Sequence, residues 1–122
     1  MDQQNLNNAE KEIEKAKAFI VVEIIEYVPN SVVIKTIIKK ATGNVTAVSF
    51  DYGESLGNKT VQFDTFIQVI EGKAEIIIGD TTQMLLTGES IIIPAHSPHE
   101  IKANERFKML STVIKSGYEE LI

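Results

Sequence analysis

Few side chains in this chain could do chemistry, and they sit in two stretches. The only histidines, His96 and His99, form an H-x-x-H pair around Ser97-Pro98 in "GESIIIPAHSPHE", residues 88–100. Cysteine is absent, which removes thiolate metal sites, nucleophilic thiols and disulfides together. An H-x-x-H pair can hold a divalent ion when a third nitrogen or oxygen donor converges with it. Here the pair lies on a turn containing Pro98 rather than on a helix face, so spacing does not supply that convergence. The second stretch is "GNKTVQFDTFIQVIEGKAEIIIGD", residues 57–80. Along 59–69 one alternate set is Lys59, Val61, Phe63, Thr65, Ile67 and Val69, and the other is Thr60, Gln62, Asp64, Phe66 and Gln68. Side chains alternate across a strand, so the first set faces a core, with Lys59 at its mouth and Thr65 midway. Asp64 then points away. A lysine beside apolar walls can act as base or nucleophile, with a histidine shuttling protons. Lys59 and His99 are equally suited to donate to a small anion, with Val61, Phe63 and Ile67 as an apolar wall. The plain structural alternatives are a solvated His96, a Lys59 that reaches solvent along its own stem and a hydrogen-bonded neutral His99.

The elements that must position these groups are strands. At 122 residues the chain fits one domain with a real core, and its net charge of -5 excludes the basic face of a nucleic-acid binder. No apolar run approaches the roughly 18 residues of a membrane helix. Ala18 to Val28 comes nearest, but Glu23 and Glu26 interrupt it and no basic segment precedes it. A cytoplasmic location is the expectation. Residues 1–18 read as a polar tail that frays over Met1–Asn8, followed by a short helix over 9–18, "AEKEIEKAKA", from its helix formers and Glu/Lys pairs. Residues 19–22 suggest a strand and 23–27 a single helical turn before Pro29-Asn30. Strand-like runs follow at 31–38, 44–50, 59–70, 73–79, 82–87, 90–94, 99–103 and 106–115, with turn signals at Thr42-Gly43-Asn44, Glu71-Gly72, Gly79-Asp80 and Thr87-Gly88. Met84 and Met109 read as core residues. Closely spaced strands without intervening helices define an all-β sandwich or barrel over residues 19–122.

Three segments resemble the cupin family of jelly-roll β-barrels. "SFDYGESLGNKTVQFDTFIQVIEG" (49–72) is similar to the first cupin motif, and "LLTGESIIIPAHSPHEIKA" (85–103) to the second. The lead-in at 32–56 resembles that of small single-domain bacterial cupins. The resemblance implies a metal site at the positions of Lys59, Val61, Thr65 and His99, where family members carry two histidines, a glutamate and a third histidine. Of these ligands His99 alone is retained. His96 stands where the family has glycine, and Ala103 where it has asparagine, with Asn104 one position out of phase. Lys59 would bring positive charge toward a cation, and Val61 cannot coordinate.

The expected protein is therefore a cupin-type barrel without a metal cofactor that binds a small anionic or carbonyl-bearing molecule through Lys59 and His99. Two alternatives stand beside it. One is a metal-dependent enzyme, isomerase- or dioxygenase-like, with a divalent ion at a site rebuilt around His99 and His96. The other is a dimerisation module without a ligand. A homodimer is expected in each case, because exposed sheet edges invite pairing and "FIVVEIIEYV" (19–28) is too apolar for a free arm. That segment should cover either its own barrel or a partner's.

Overall fold

The computed structural model of the protein describes residues 11–117, apart from the side chains of Asn58 and Lys59. Eight strands carry the fold: β1 (Val32–Lys40), β2 (Gly43–Phe50), β3 (Ser55–Lys59), β4 (Thr65–Ile78), β5 (Thr81–Leu86), β6 (Ser90–Ile93), β7 (His99–Lys102) and β8 (Phe107–Ile114). All their pairings are antiparallel. β4, 14 residues long, is the spine. Its first half lies between β8 and β6, and its second half between β7 and β5. Outside β8 come β2 and then β1, and outside β7 comes β3, so the sheet curls into a half-barrel whose two halves share β4.

The sharing depends on Gly72. The β4–β8 register shifts between Val69 and Glu71, and Gly72 has φ +87°. A Cβ at Gly72 would stand 2.5 Å from the Arg106 carbonyl oxygen and 3.0 Å from Phe107 Cα. Glu71-Gly72 is thus not the turn expected from its residue types. It is a β-bulge, at which the strand bends and exchanges one pair of neighbours for another. The opposite correction applies to 59–70, expected as one strand. β3 belongs to one half of the sheet and the start of β4 to the other, so residues 60–64 must leave the ladder to cross between them. Within β4 the period-two pattern holds: Thr65, Ile67 and Val69 are buried while Phe66 is exposed.

The inner face forms the main core, with Phe50 and Phe107 stacked at 4.4 Å between ring centroids. They are directly opposed on β2 and β8, and Ile67, Val69, Ile76, Ile93, Ile101 and Met109 pack with them. Met109 is buried as expected, whereas Met84 is exposed on β5.

A second apolar cluster lies on the outer face of β1, β2 and β8. Ile25, Ile37 and Ala47 are buried there, with Ile13, Val21, Ile24, Val33, Val45 and Leu110 packed against them. The N-terminal segment is therefore a strap across its own sheet. Among its described residues it contains one 3-10 turn, Val21–Glu23, in place of the helical turn expected over 23–27, and neither the helix expected over 9–18 nor the strand expected over 19–22 appears in residues 11–22. The remainder of that helix, like the polar tail, lies outside the described residues. Tertiary bonds outweigh helix propensity here. Ile13 N–H donates to Ile37 O, Lys39 N–H donates to Glu12 Oε2 at 2.7 Å, and Ala16 has φ +66°.

Polar groups fix the strap at both ends. Lys39 N–H and then Lys15 Nζ donate to the Glu12 carboxylate and hold its pKa down to about 2. At the other end Asn30 N–H and the Arg106 guanidinium do the same for Asp51, also to about 2. Between them Ser49 Oγ donates to Glu26 O, and Lys108 Nζ donates to Val22 O while lying 4.9 Å from the centre of the Tyr27 ring. Tyr27 donates to Glu71 at 2.6 Å. Burial, reinforced by that carboxylate, pushes its phenol far above the ordinary range. Among the described residues no helix is long and apolar enough to cross a membrane.

Candidate functional site

Between the two halves of the curled sheet lies a cavity of about 190 Å³. β2, β4 and β8 supply one wall through Val48, Ile67, Met109 and Val113, while Leu56 on β3 and Ile101 on β7 face them. The lining is apolar apart from Thr46, Thr65, Ser111 and His99. Ile34, lining the cavity yet 51 % exposed, marks its open side.

Val61, Thr65 and His99 meet in this lining, although they come from a loop, the start of β4 and the start of β7. Thr65 Oγ1 lies 3.5 Å from Phe63 O, at the outer limit of a hydrogen bond. His99 Nδ1 lies 3.4 Å from Ser97 O, so the tautomer protonated on Nδ1 donates a long bond there and leaves Nε2 as an acceptor. Phe63 is half-buried but is not part of the lining. Lys59 is paired with His99 across β3 and β7, while its side chain lies outside the described residues.

The rim is fixed by two short loops. His96 N–H donates to Val61 O at 2.6 Å, and Ala95 N–H donates to Asp64 Oδ1 at 2.8 Å. His96 itself is exposed with φ +67°, outside the lining. Asp64 spends its carboxylate on the neighbouring loop rather than on the cavity. These bonds explain how Val61 reaches the lining after the strand pattern has broken. The inward-facing hydroxyls of Thr46 and Ser111 were not singled out by sequence spacing. The available signal was a polar residue in the inward phase of two otherwise apolar strands.

A match to the family described as "Cupin domain" spans residues 48–113, more than half of the chain, and the protein belongs to the cupin family. A conserved protein of unknown function from Streptococcus pyogenes is 28 % identical, with 88 % of this chain and 94 % of that one covered at a TM-score of 0.82. A cupin superfamily protein from Desulfitobacterium hafniense is 25 % identical, covering 87 % and 97 % with a TM-score of 0.81. A cupin 2 conserved barrel domain protein from Leptotrichia buccalis is 30 % identical over 77 % of this chain and 46 % of its own, at a TM-score of 0.74. No curated protein sequence matches the chain.

The metal implied by the family does not fit this donor set. A first-row divalent ion needs three or four converging nitrogen or oxygen ligands. Among the described residues no three His, Asp or Glu side chains gather closely enough to supply them. Val61 has no donor atom, and Thr65 offers a neutral hydroxyl. His99 is left as a single imidazole in an apolar wall.

Proposed function

We propose that this cupin is a metal-free binding protein for a small organic molecule bearing a carboxylate or carbonyl group. The observation that carries the reading is the cavity itself: a preformed apolar space with His99 in its wall and, among the described residues, no ligand set for an ion. Such spaces, with a few fixed polar groups, suit small ligands. In this reading His99 Nε2, when protonated, donates to the ligand's oxygen, and Lys59, opposite His99 in the register, supplies the positive charge. The apolar body of the ligand rests on Val61, Ile67 and Ile101.

The test is a thermal-shift and NMR titration of untagged protein with short carboxylates and ketones. A saturable shift that disappears in both His99→Ala and Lys59→Ala is expected. Stoichiometric zinc or nickel in metal analysis of the untagged protein, lost in His99→Ala, would replace this reading with the metalloenzyme. We also propose that the protein is a homodimer. Phe66 and Ile92, directly opposed on β4 and β6, are 41 % and 61 % exposed on a face of the sheet. A second copy would cover them. Sedimentation velocity at micromolar concentration should give a dimer, and a monodisperse monomer would refute it.

A further inference from the structure

Thr46 on β2 and Ser111 on β8 are directly opposed in register, and both line the cavity. The next inward pair along the same two strands is Val48 and Met109, Ile67 flanks Ser111 on β4, and Thr36 stands opposite Thr46 on β1. Neither hydroxyl makes a hydrogen bond to any described residue. No buried side-chain polar atom among the described residues lacks a partner, so these two hydroxyls are open to the cavity rather than sealed in the wall. Water can reach them there, but a ligand that displaces that water must replace its hydrogen bonds, since a polar group left unpaired in a dry space loses about 1–3 kcal/mol. Two adjacent ones in an apolar wall therefore call for a polar occupant.

Resting on the binding reading above, we infer that Thr46 and Ser111 form a second polar pole that recognises a neutral hydroxyl or keto group. The ligand class is then a short, branched hydroxy- or keto-carboxylate, its acid end toward His99 and its second oxygen toward this pair. Hydroxyls both donate and accept, so they match a neutral oxygen of either kind. They do not suit a second charge, which would be buried without a counterion. An apolar cavity of about 150 Å³ holds benzene. A space of about 190 Å³ therefore admits a ligand on the order of six to nine non-hydrogen atoms. Val48, Met109 and Val113 would pack against its branched middle.

The probes are 3-methylbutanoate and 3-hydroxy-3-methylbutanoate, which share a skeleton and differ by one hydroxyl. Their dissociation constants are measured by NMR titration against the wild type, Thr46→Val/Ser111→Ala and, as a milder variant, Ser111→Ala. The hydroxylated acid should bind about tenfold more tightly to the wild type. That ratio should fall partway in Ser111→Ala and to about one in the double variant. Saturable binding of both acids with equal affinity by the wild type would overturn the hydroxyl pole and leave the binding reading standing. A preference that survives in Ser111→Ala undiminished would also overturn it. If neither acid binds, both the pole and the binding reading fail for this ligand class.

Discussion

The two faces of the β1–β2–β8 sheet treat their polar groups in opposite ways. On the outer face the strap closes over the strands through paired polar groups: Ser49 with Glu26 O, Lys108 with Val22 O, Glu12 with Lys39 N–H and Asp51 with Asn30 N–H. On the inner face, one residue out of phase along the same strands, Thr46 and Ser111 have no partner among the described residues. Satisfied hydrogen bonds make the outer face a permanent closure. On the inner face the two hydroxyls stay open to the cavity, where the proposed ligand would meet them.

The comparison can be broken most forcefully at Ile25, the buried anchor of the strap. Ile25→Ala should destabilise the fold by about 3 kcal/mol in urea unfolding, as for other large-to-small core changes. A change below about 0.5 kcal/mol would mean that the strap contributes little and that the outer face is only loosely closed.

Acid should act next, and unequally on the two faces. Glu12 and Asp51 both have folded pKa values lowered to about 2, against roughly 4 in an unfolded chain. Their stabilisation is therefore complete above about pH 5 and is lost as the pH falls toward 2. Both carboxylates fasten the strap, with Lys15 and Lys40 beside Glu12 and Arg106 beside Asp51. Amide exchange from pH 5 down to 2.5 should show Lys39 and Asn30 losing protection before Ile67 and Val69. Asp51→Asn, which cannot ionise, should flatten the acid dependence of stability. Simultaneous loss at all four amides would show that acid does not distinguish the faces.

The smallest and sharpest contrast uses two serines on opposite faces of one sheet. Ser49→Ala deletes the donor to Glu26 O and should cost about 1 kcal/mol. Ser111→Ala deletes an unpaired hydroxyl and should change stability by less than about 0.5 kcal/mol. Equal costs would mean that Ser111 has a structural partner and would remove the basis for its role in recognition.

The inner face was the legible one. Thr65, Ile67 and Val69 alternate with exposed or half-buried neighbours because a strand buried on one side must do so, and the family motifs supplied the class of barrel. The strap was not legible. Its apolar residues and its Glu/Lys pairs resemble an amphipathic helix, and nothing local reveals that Glu12 and Ile13 find their partners on β1. Glu71-Gly72 misled for a similar reason. Glycine marks a positive φ, which a turn and a bulge share, and only the neighbouring strands decide between them. In the candidate site, the family motifs pointed to Val61, Thr65 and His99, which line one cavity, whereas the strand alternation was overextended to Phe63. The inward phase of Thr46 and Ser111 could be read from the strands, whereas their lack of partners is a property of the folded neighbourhood.

The pairing of β2 with β8 also imposes an order in time. β1 and β2 form a local hairpin and can pair as soon as both exist, but the far side of β2 is completed by Phe107–Ile114, near the end of the chain. Synthesis at about 5–20 residues per second leaves β2 without that neighbour for several seconds. The strap waits too, because Leu110 and Lys108, which it packs on and bonds to, arrive with the same strand. A nascent chain stalled before β8 would present an open edge and two uncovered apolar faces, the condition in which β-rich chains are most exposed to aggregation.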